Sequence, residues 1–206
     1  MIKKLNTLFT WILLPILFVS CTGNKAYDKL LIKADSIMNI DDDSAEVAIR
    51  MMQSIKPELS QFSKSQKKRY ELLYHKAMNK AYIDFTSDST MLEVVDYYEQ
   101  HGSANEKMLA YYILGCVYRD MHEAPMALEY YNKATELADT TAKDCDYATL
   151  CRIYSQMGFL FAKQHLPHQE LASLDKAVKY AYLAKDTLNA IRYYQNKQAI
   201  YASQNK

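Results

Sequence analysis

The chain is 206 residues long and half of it is hydrophobic, enough to bury a substantial core within one domain. Its 25 basic and 24 acidic residues give a net charge of +1; leaving out a leader that carries Lys3 and Lys4 takes this to 23 against 24, or −1, without the basic excess of a nucleic-acid binder. Four glycines and four prolines are too few for a turn-rich β protein, and four cysteines with no C-x-x-C pair exclude a zinc finger or a disulfide-built scaffold.

The first element is a leader. Met1-Ile2-Lys3-Lys4 precedes a mainly apolar run from Leu8 to Val19, about a dozen residues, short of the ~20 that span a bilayer as a helix. Residues 1–20 therefore read as a cleaved secretory signal. Phe18-Val19-Ser20-Cys21 resembles the bacterial lipobox, with Phe where Leu is usual. The resemblance implies acylation of Cys21, which would anchor the mature chain to a membrane at ~0.8 kcal/mol per buried CH₂. Thr22 after the cysteine, read by the sorting rules of such lipoproteins, places the chain at the periplasmic face of the outer membrane of a Gram-negative bacterium. Residues 21–26 serve as the lipidated cysteine and its tether, and residues 27–206 form the folded domain.

From Tyr27 onward apolar residues recur three and four apart, the mark of amphipathic helices. The first runs through Tyr27, Leu30, Leu31 and Ala34 and pairs with Ala48, Met52 and Ile55. Asp43 and Glu46 offer a capping box between them, and Pro57 ends the second helix. Tyr70, Leu73, Tyr74 and Ala77 mark the next first helix, with residues 91–100 as its mate and Gly102 as a C-cap. Two further pairs follow, with Pro125 and Pro167 in the first turn of each second helix. A lone helix over residues 189–203 closes the chain, with Ile191, Tyr194 and Tyr201 on one face. Its open face predicts a missing mate or a second copy, hence a homodimer through the terminal helix. Cys145 and Cys151, six apart on one continuous helix, are too far apart for a disulfide, so free and mostly buried thiols are expected.

The two central pairs carry an internal repeat. One reads Tyr111-x-x-Leu114-Gly115-x-x-Tyr118 and then Ala127-x-x-x-Tyr131-x-x-Ala134. The other reads Tyr154-x-x-Met157-Gly158-x-x-Phe161 and then Glu170-x-x-x-Leu174-x-x-Ala177. Glu170 stands where a small residue is expected and predicts a splayed pair. A mid-helix Gly costs roughly 1 kcal/mol against Ala, so its recurrence predicts close helix crossing at Gly115 and Gly158.

This pattern resembles the tetratricopeptide repeat (TPR), tightly from about Met108 to Ala184 and loosely elsewhere. The leader and the segments 34–38 and 95–99 are similar to the periplasmic part of bacterial membrane-anchored TPR proteins. The resemblance implies an all-α, TPR-like α-solenoid of about four helical hairpins plus a terminal helix. It also implies an inner groove lined by first helices. The positions that face it are Glu71 and His75; Tyr112, Cys116 and Arg119; Arg152, Ser155, Phe159 and Lys163. Their mix of aromatic and basic side chains suits an extended peptide.

No constellation for catalysis stands out: no Walker loop, G-x-S-x-G or H-E-x-x-H is present. His165-Leu166-Pro167-His168 reads as an exposed turn, Asp41-Asp42-Asp43 as helix caps, and the basic run from Lys64 to Arg69 as a solvated helix start. No metal, cofactor or catalytic residue is expected. The expectation is a non-enzymatic, lipid-anchored scaffold for a protein or peptide in the cell envelope. The alternative is a glycan- or nutrient-binding lipoprotein beside an outer-membrane transporter.

Overall fold

The structure, a computed structural model, describes residues 26–38 and 44–204. The leader, Cys21 and the expected Asp43 cap lie outside that range. All regular structure among the described residues is helical, and the helices pack in adjacent pairs. In chain order these are α1 (26–37), α2 (Ser44–Ser54), a short 3₁₀ helix (Lys56–Gln61), α3 (Lys64–Lys80), α4 (Ser89–His101), α5 (Ala104–Asp120), α6 (Ala124–Glu136), α7 (Tyr147–Lys163), α8 (Pro167–Leu183) and α9 (Thr187–Gln204). The described residues form two compact units, one up to Ile83 and one from Asp84.

In the first unit, Leu31 and Ala34 from α1 and Met38 just past it meet Ala48, Ile49 and Met52 from α2, with Tyr70, Leu73 and Ala77 from α3. These are the residues the three-and-four spacing brings to one face. Each large side chain so buried contributes on the order of 1.5–3 kcal/mol. Phe62, just past the 3₁₀ helix, fills the end of this core between the Tyr27 and Tyr70 rings, at 4.4 and 6.4 Å. Pro57 sits in the first turn of the 3₁₀ helix, where its missing N–H is not needed. Polar ties hold α1 to α3: Lys76 pairs with Asp35 at 2.7 Å, and the Gln66 amide donates to Asp28 at 3.1 Å.

In the second unit, α4 packs on α5, α5 on α6, α7 on α8 and α8 on α9, while α5 also touches α7. Helix α5 is buried from Ala110 to Val117, as an apolar segment hydrophobic on all sides must be. Two kinds of start recur. Helices α3, α5, α7 and α9 begin with a side-chain cap, from Ser63, Ser103, Asp146 and Asp186, each satisfying an N–H that the helix itself leaves free. At Ser63 and Ser103 the cap is a full capping box with Gln66 or Glu106. Helices α6 and α8 begin with Pro125 and Pro167, as expected.

Helix ends also repeat. After α3, α5, α7 and α8 the chain turns through Tyr82, His122, His165 and Lys185, each with φ between 56° and 65°. In each case the next N–H bonds back to the carbonyl five residues earlier, as in Glu123 to Tyr118 at 2.9 Å and Leu166 to Phe161 at 3.0 Å. These are Schellman turns built without glycine. Gly102, by contrast, ends α4 with extended backbone, and a Cβ there would lie 2.8 Å from the Tyr98 carbonyl oxygen.

Candidate functional site

The repeat positions come first, because they aim everything else. Leu114, Ala127, Tyr131 and Ala134 are fully buried between α5 and α6, and Leu174 and Ala177 are buried between α7 and α8. Tyr111, Tyr154 and Met157 are buried too, while Tyr118 and Phe161 are half-buried. At Gly115 an added Cβ would stand 2.5 Å from the Tyr131 ring, so the helices cross where only hydrogen fits. Gly158 differs. A Cβ there would meet Leu174 at 3.5 Å, an ordinary contact, so the expected close approach is confined to Gly115. The smaller Leu174 in place of Tyr131 makes that room. Glu170 does not splay its helices: it is half-buried, Leu171 and Leu174 fill the contact, and α7 and α8 pack more extensively than any other described pair.

Tyrosines stack across each pair. Tyr130 lies between Tyr111 and Tyr118 at 6.0 and 5.1 Å, and Tyr180 lies between Tyr147 and Tyr154 at 6.1 and 5.6 Å. Hydroxyls find acceptors, as buried phenols require: Tyr118 donates to Asp88 at 2.6 Å and Tyr111 to Glu99. The rings face one another, so they are packing.

Of the residues expected to line a groove, Tyr112 and Cys116 are buried and unavailable at a surface. The Tyr112 ring packs 6.0 Å from Tyr131, whose hydroxyl donates to the Cys116 sulfur at 3.5 Å. The expectation fails there because α5 is enclosed by α4, α6 and α7, leaving it little open face. Burial pushes the Cys116 thiol up from its ordinary pKa, and pushes Cys151 up to about 11. Cys116, Cys145 and Cys151 are free and buried, as expected, although Cys145 lies in the loop before α7 and not on one helix with Cys151.

Arg119 is half-buried, pairing with Asp120 at 2.7 Å and donating to Gln156 on α7 at 2.9 Å. On α7, Arg152, Phe159 and Lys163 are exposed and Ser155 is half-buried; Phe159 is 49% exposed, with the Lys163 ammonium 5.3 Å from its ring centre. These residues form one stripe at helical spacing. One member that the sequence analysis left out joins it, Gln156; on α9, Arg192 stands at the same register from its cap Asp186 as Arg152 does from Asp146. That shared register was the available signal. Glu71 and His75 belong to the first unit. Both are half-buried; Glu71 pairs with Lys68 at 2.8 Å, and His75 bonds the Glu71 carbonyl at 2.8 Å, with burial lowering its pKa.

Other sequence features take structural places. The basic run begins α3 behind its Ser63 cap. His165 occupies a left-handed turn position and His168 is exposed on the first turn of α8. No cluster of three His, Cys, Asp or Glu side chains that could hold a metal occurs among the described residues, and none of their helices is long and apolar enough to cross a membrane. On α9, Ala190 and Tyr193 are buried, whereas Leu188, Ile191, Tyr194 and Tyr201 are exposed.

No protein-family model matches the chain, and no curated protein matches it. Among solved structures it is similar to BtubC (BKLC) from P. vanneervenii, with a TM-score of 0.45 and 12% identity over 88% of this chain and 90% of that one.

Proposed function

We propose that the chain is a TPR-type scaffold, non-enzymatic and lipid-anchored through Cys21, that binds a protein or peptide partner in the cell envelope. The observation that carries this reading is the α7 stripe. Arg152, Phe159 and Lys163 are presented to solvent by a helix whose opposite face is locked into α8, so the stripe is rigid without being needed for folding. A half-exposed aromatic between basic groups is the composition of an interface centre, where aromatic and arginine side chains dominate binding energy. Membrane attachment rests on the residues of the leader, which ends at Ser20, and on Cys21 that follows it.

Two measurements in cells test this. A photo-reactive phenylalanine analogue at Phe159 is expected to give a discrete protein adduct, and the same group at Glu129 on α6 is expected to give none. Labelled palmitate is expected to enter the chain and to be lost in Cys21→Ser. Equal labelling patterns from both photo-probes, or palmitate retained without Cys21, would overturn the scaffold and anchor readings respectively.

A further inference from the structure

Helix α9 repeats the register of α5 and α7. Counted from the capping residues Ser103, Asp146 and Asp186, an aromatic stands at the same two places on all three helices: Tyr111, Tyr154 and Tyr194, then Tyr118, Phe161 and Tyr201. On α5 these two rings hold Tyr130 of α6 between them, at 6.0 and 5.1 Å, and on α7 Tyr154 stacks on Tyr180 of α8 at 5.6 Å. On α9 the same positions face solvent, with Tyr194 54% and Tyr201 43% exposed.

The inner face of α9 is taken: Ala190 and Tyr193 are buried, and Lys197 pairs with Asp175 of α8. The outer face runs through Leu188, Ile191, Tyr194, Gln195, Gln198 and Tyr201, all exposed. It holds no charge, because Arg192 and Lys197, the helix's two cations, fall outside that sector at 100° per residue. A terminal helix of a stacked array stays in solution through a polar outer face, and this one is largely apolar and aromatic. Between the two tyrosines lies a further difference. Gly115 and Gly158 hold that place on α5 and α7, against Tyr131 and Leu174, whereas α9 has Gln198. A mate seated as α8 sits on α7 would collide with the glutamine, since a Cβ alone at Gly158 already meets Leu174 at 3.5 Å. Whatever covers α9 stands further off and has an amide to satisfy.

We infer that α9 of a second copy of this chain covers this face, packed antiparallel across a two-fold axis beside Gln198. A two-fold contact needs a surface that complements itself. Amide and hydroxyl groups do so, because each carries both a donor and an acceptor, and here they are the face's only polar groups. In the antiparallel register that sets Tyr194 opposite Tyr201 of the second copy, that ring pair forms twice and residues 191–204 overlap, about 21 Å of helix. The two Gln198 amides then meet beside the axis, where a buried amide fixes register and orientation. Arg192 falls opposite Ser203 of the second copy, whereas a parallel pair would set Arg192 against itself. A bilayer suits this face less well, since Gln195 and Gln198 across its middle would enter hydrocarbon without partners. The inference stands on residues separate from the α7 stripe, so the scaffold reading survives its failure.

The test is sedimentation equilibrium of the full chain in density-matched detergent. A dimer is expected, with its dissociation constant raised at least about tenfold in Tyr194→Glu and in Tyr201→Lys. Both positions are exposed, and unchanged helical circular dichroism shows that the fold is intact. Mixed in equal amounts, the two variants are expected to pair again, because the new carboxylate faces the new ammonium across the axis; a parallel pair gives no such rescue. Oxidised Gln198→Cys is expected to run as a covalent dimer on a non-reducing gel, and Asn196→Cys, off the face, as a monomer. A monomer at every concentration, a dimer indifferent to both tyrosine variants, or variants that fail to rescue each other would overturn the inference. So would a photo-reactive group at Tyr194 that couples in cells to lipid or to a different protein, which would name the occupant instead.

Discussion

At His122 and His165 the backbone takes a conformation that costs an L residue roughly 1–2 kcal/mol and glycine almost nothing. Both side chains are exposed, so little is lost with them. His122→Gly is therefore expected to stabilise the chain by up to about 1 kcal/mol in urea denaturation, the gain trimmed by the freer unfolded state. Cysteine chemistry is decided at the same scale. With the Cys116 and Cys151 thiols buried and held protonated at neutral pH, the native chain is expected to resist iodoacetamide at both and to react once unfolded in urea. Fast native labelling of Cys151 would contradict the burial. Individual residues were the least legible feature of the sequence. Tyr112 and Cys116 follow the groove spacing as faithfully as Ser155 and Phe159 do, yet the first two are buried, Ser155 is half-buried and Phe159 is half-exposed. Spacing reveals which face a residue takes on its own helix, but which neighbours enclose that face depends on contacts distant in sequence. Nor do the Schellman turns announce themselves, because none of the four uses glycine.

Among the elements, starts and pairings were easier to read. Pro125 and Pro167 mark α6 and α8 because proline fits only the first turn of a helix, and the apolar spacing found the partners of α1, α5 and α7. The caps Ser63, Ser103 and Asp146 went unnoticed because Ser and Asp are common in loops too. The consequence of Glu170 was misjudged, since a long carboxylate can turn toward solvent while Leu171 and Leu174 close the contact. It still carries a cost: burial raises the Glu170 pKa above the ordinary carboxylate value. The folded state then holds that proton more tightly than the unfolded chain, so this residue's contribution to stability falls as pH rises through the carboxylate range. Glu170→Gln is expected to melt higher than the parent at neutral pH, with the difference shrinking as the pH drops below the carboxylate range. A gap that widens in acid would contradict the sign.

For the molecule as a whole, the all-helical paired architecture was legible because the repeat states it twice, in α5–α6 and again in α7–α8. The division between Ile83 and Asp84 was not, because nothing in composition changes there. Both the fold and the binding face depend on one claim: a single contact position per helix pair sets how closely the helices cross, and so which residues α7 is left to present. Comparing Gly115→Ala with Gly158→Ala tests it directly. The first forces a methyl against the buried Tyr131 ring and is expected to destabilise, overpacking of about 1–3 kcal/mol outweighing the helical gain of roughly 1 kcal/mol. The second meets Leu174 at an ordinary distance and is expected to be neutral or to stabilise by up to about 1 kcal/mol. Equal and opposite results, with Gly115→Ala stabilising and Gly158→Ala unfolding the chain, would contradict the account; so would two indistinguishable denaturation curves.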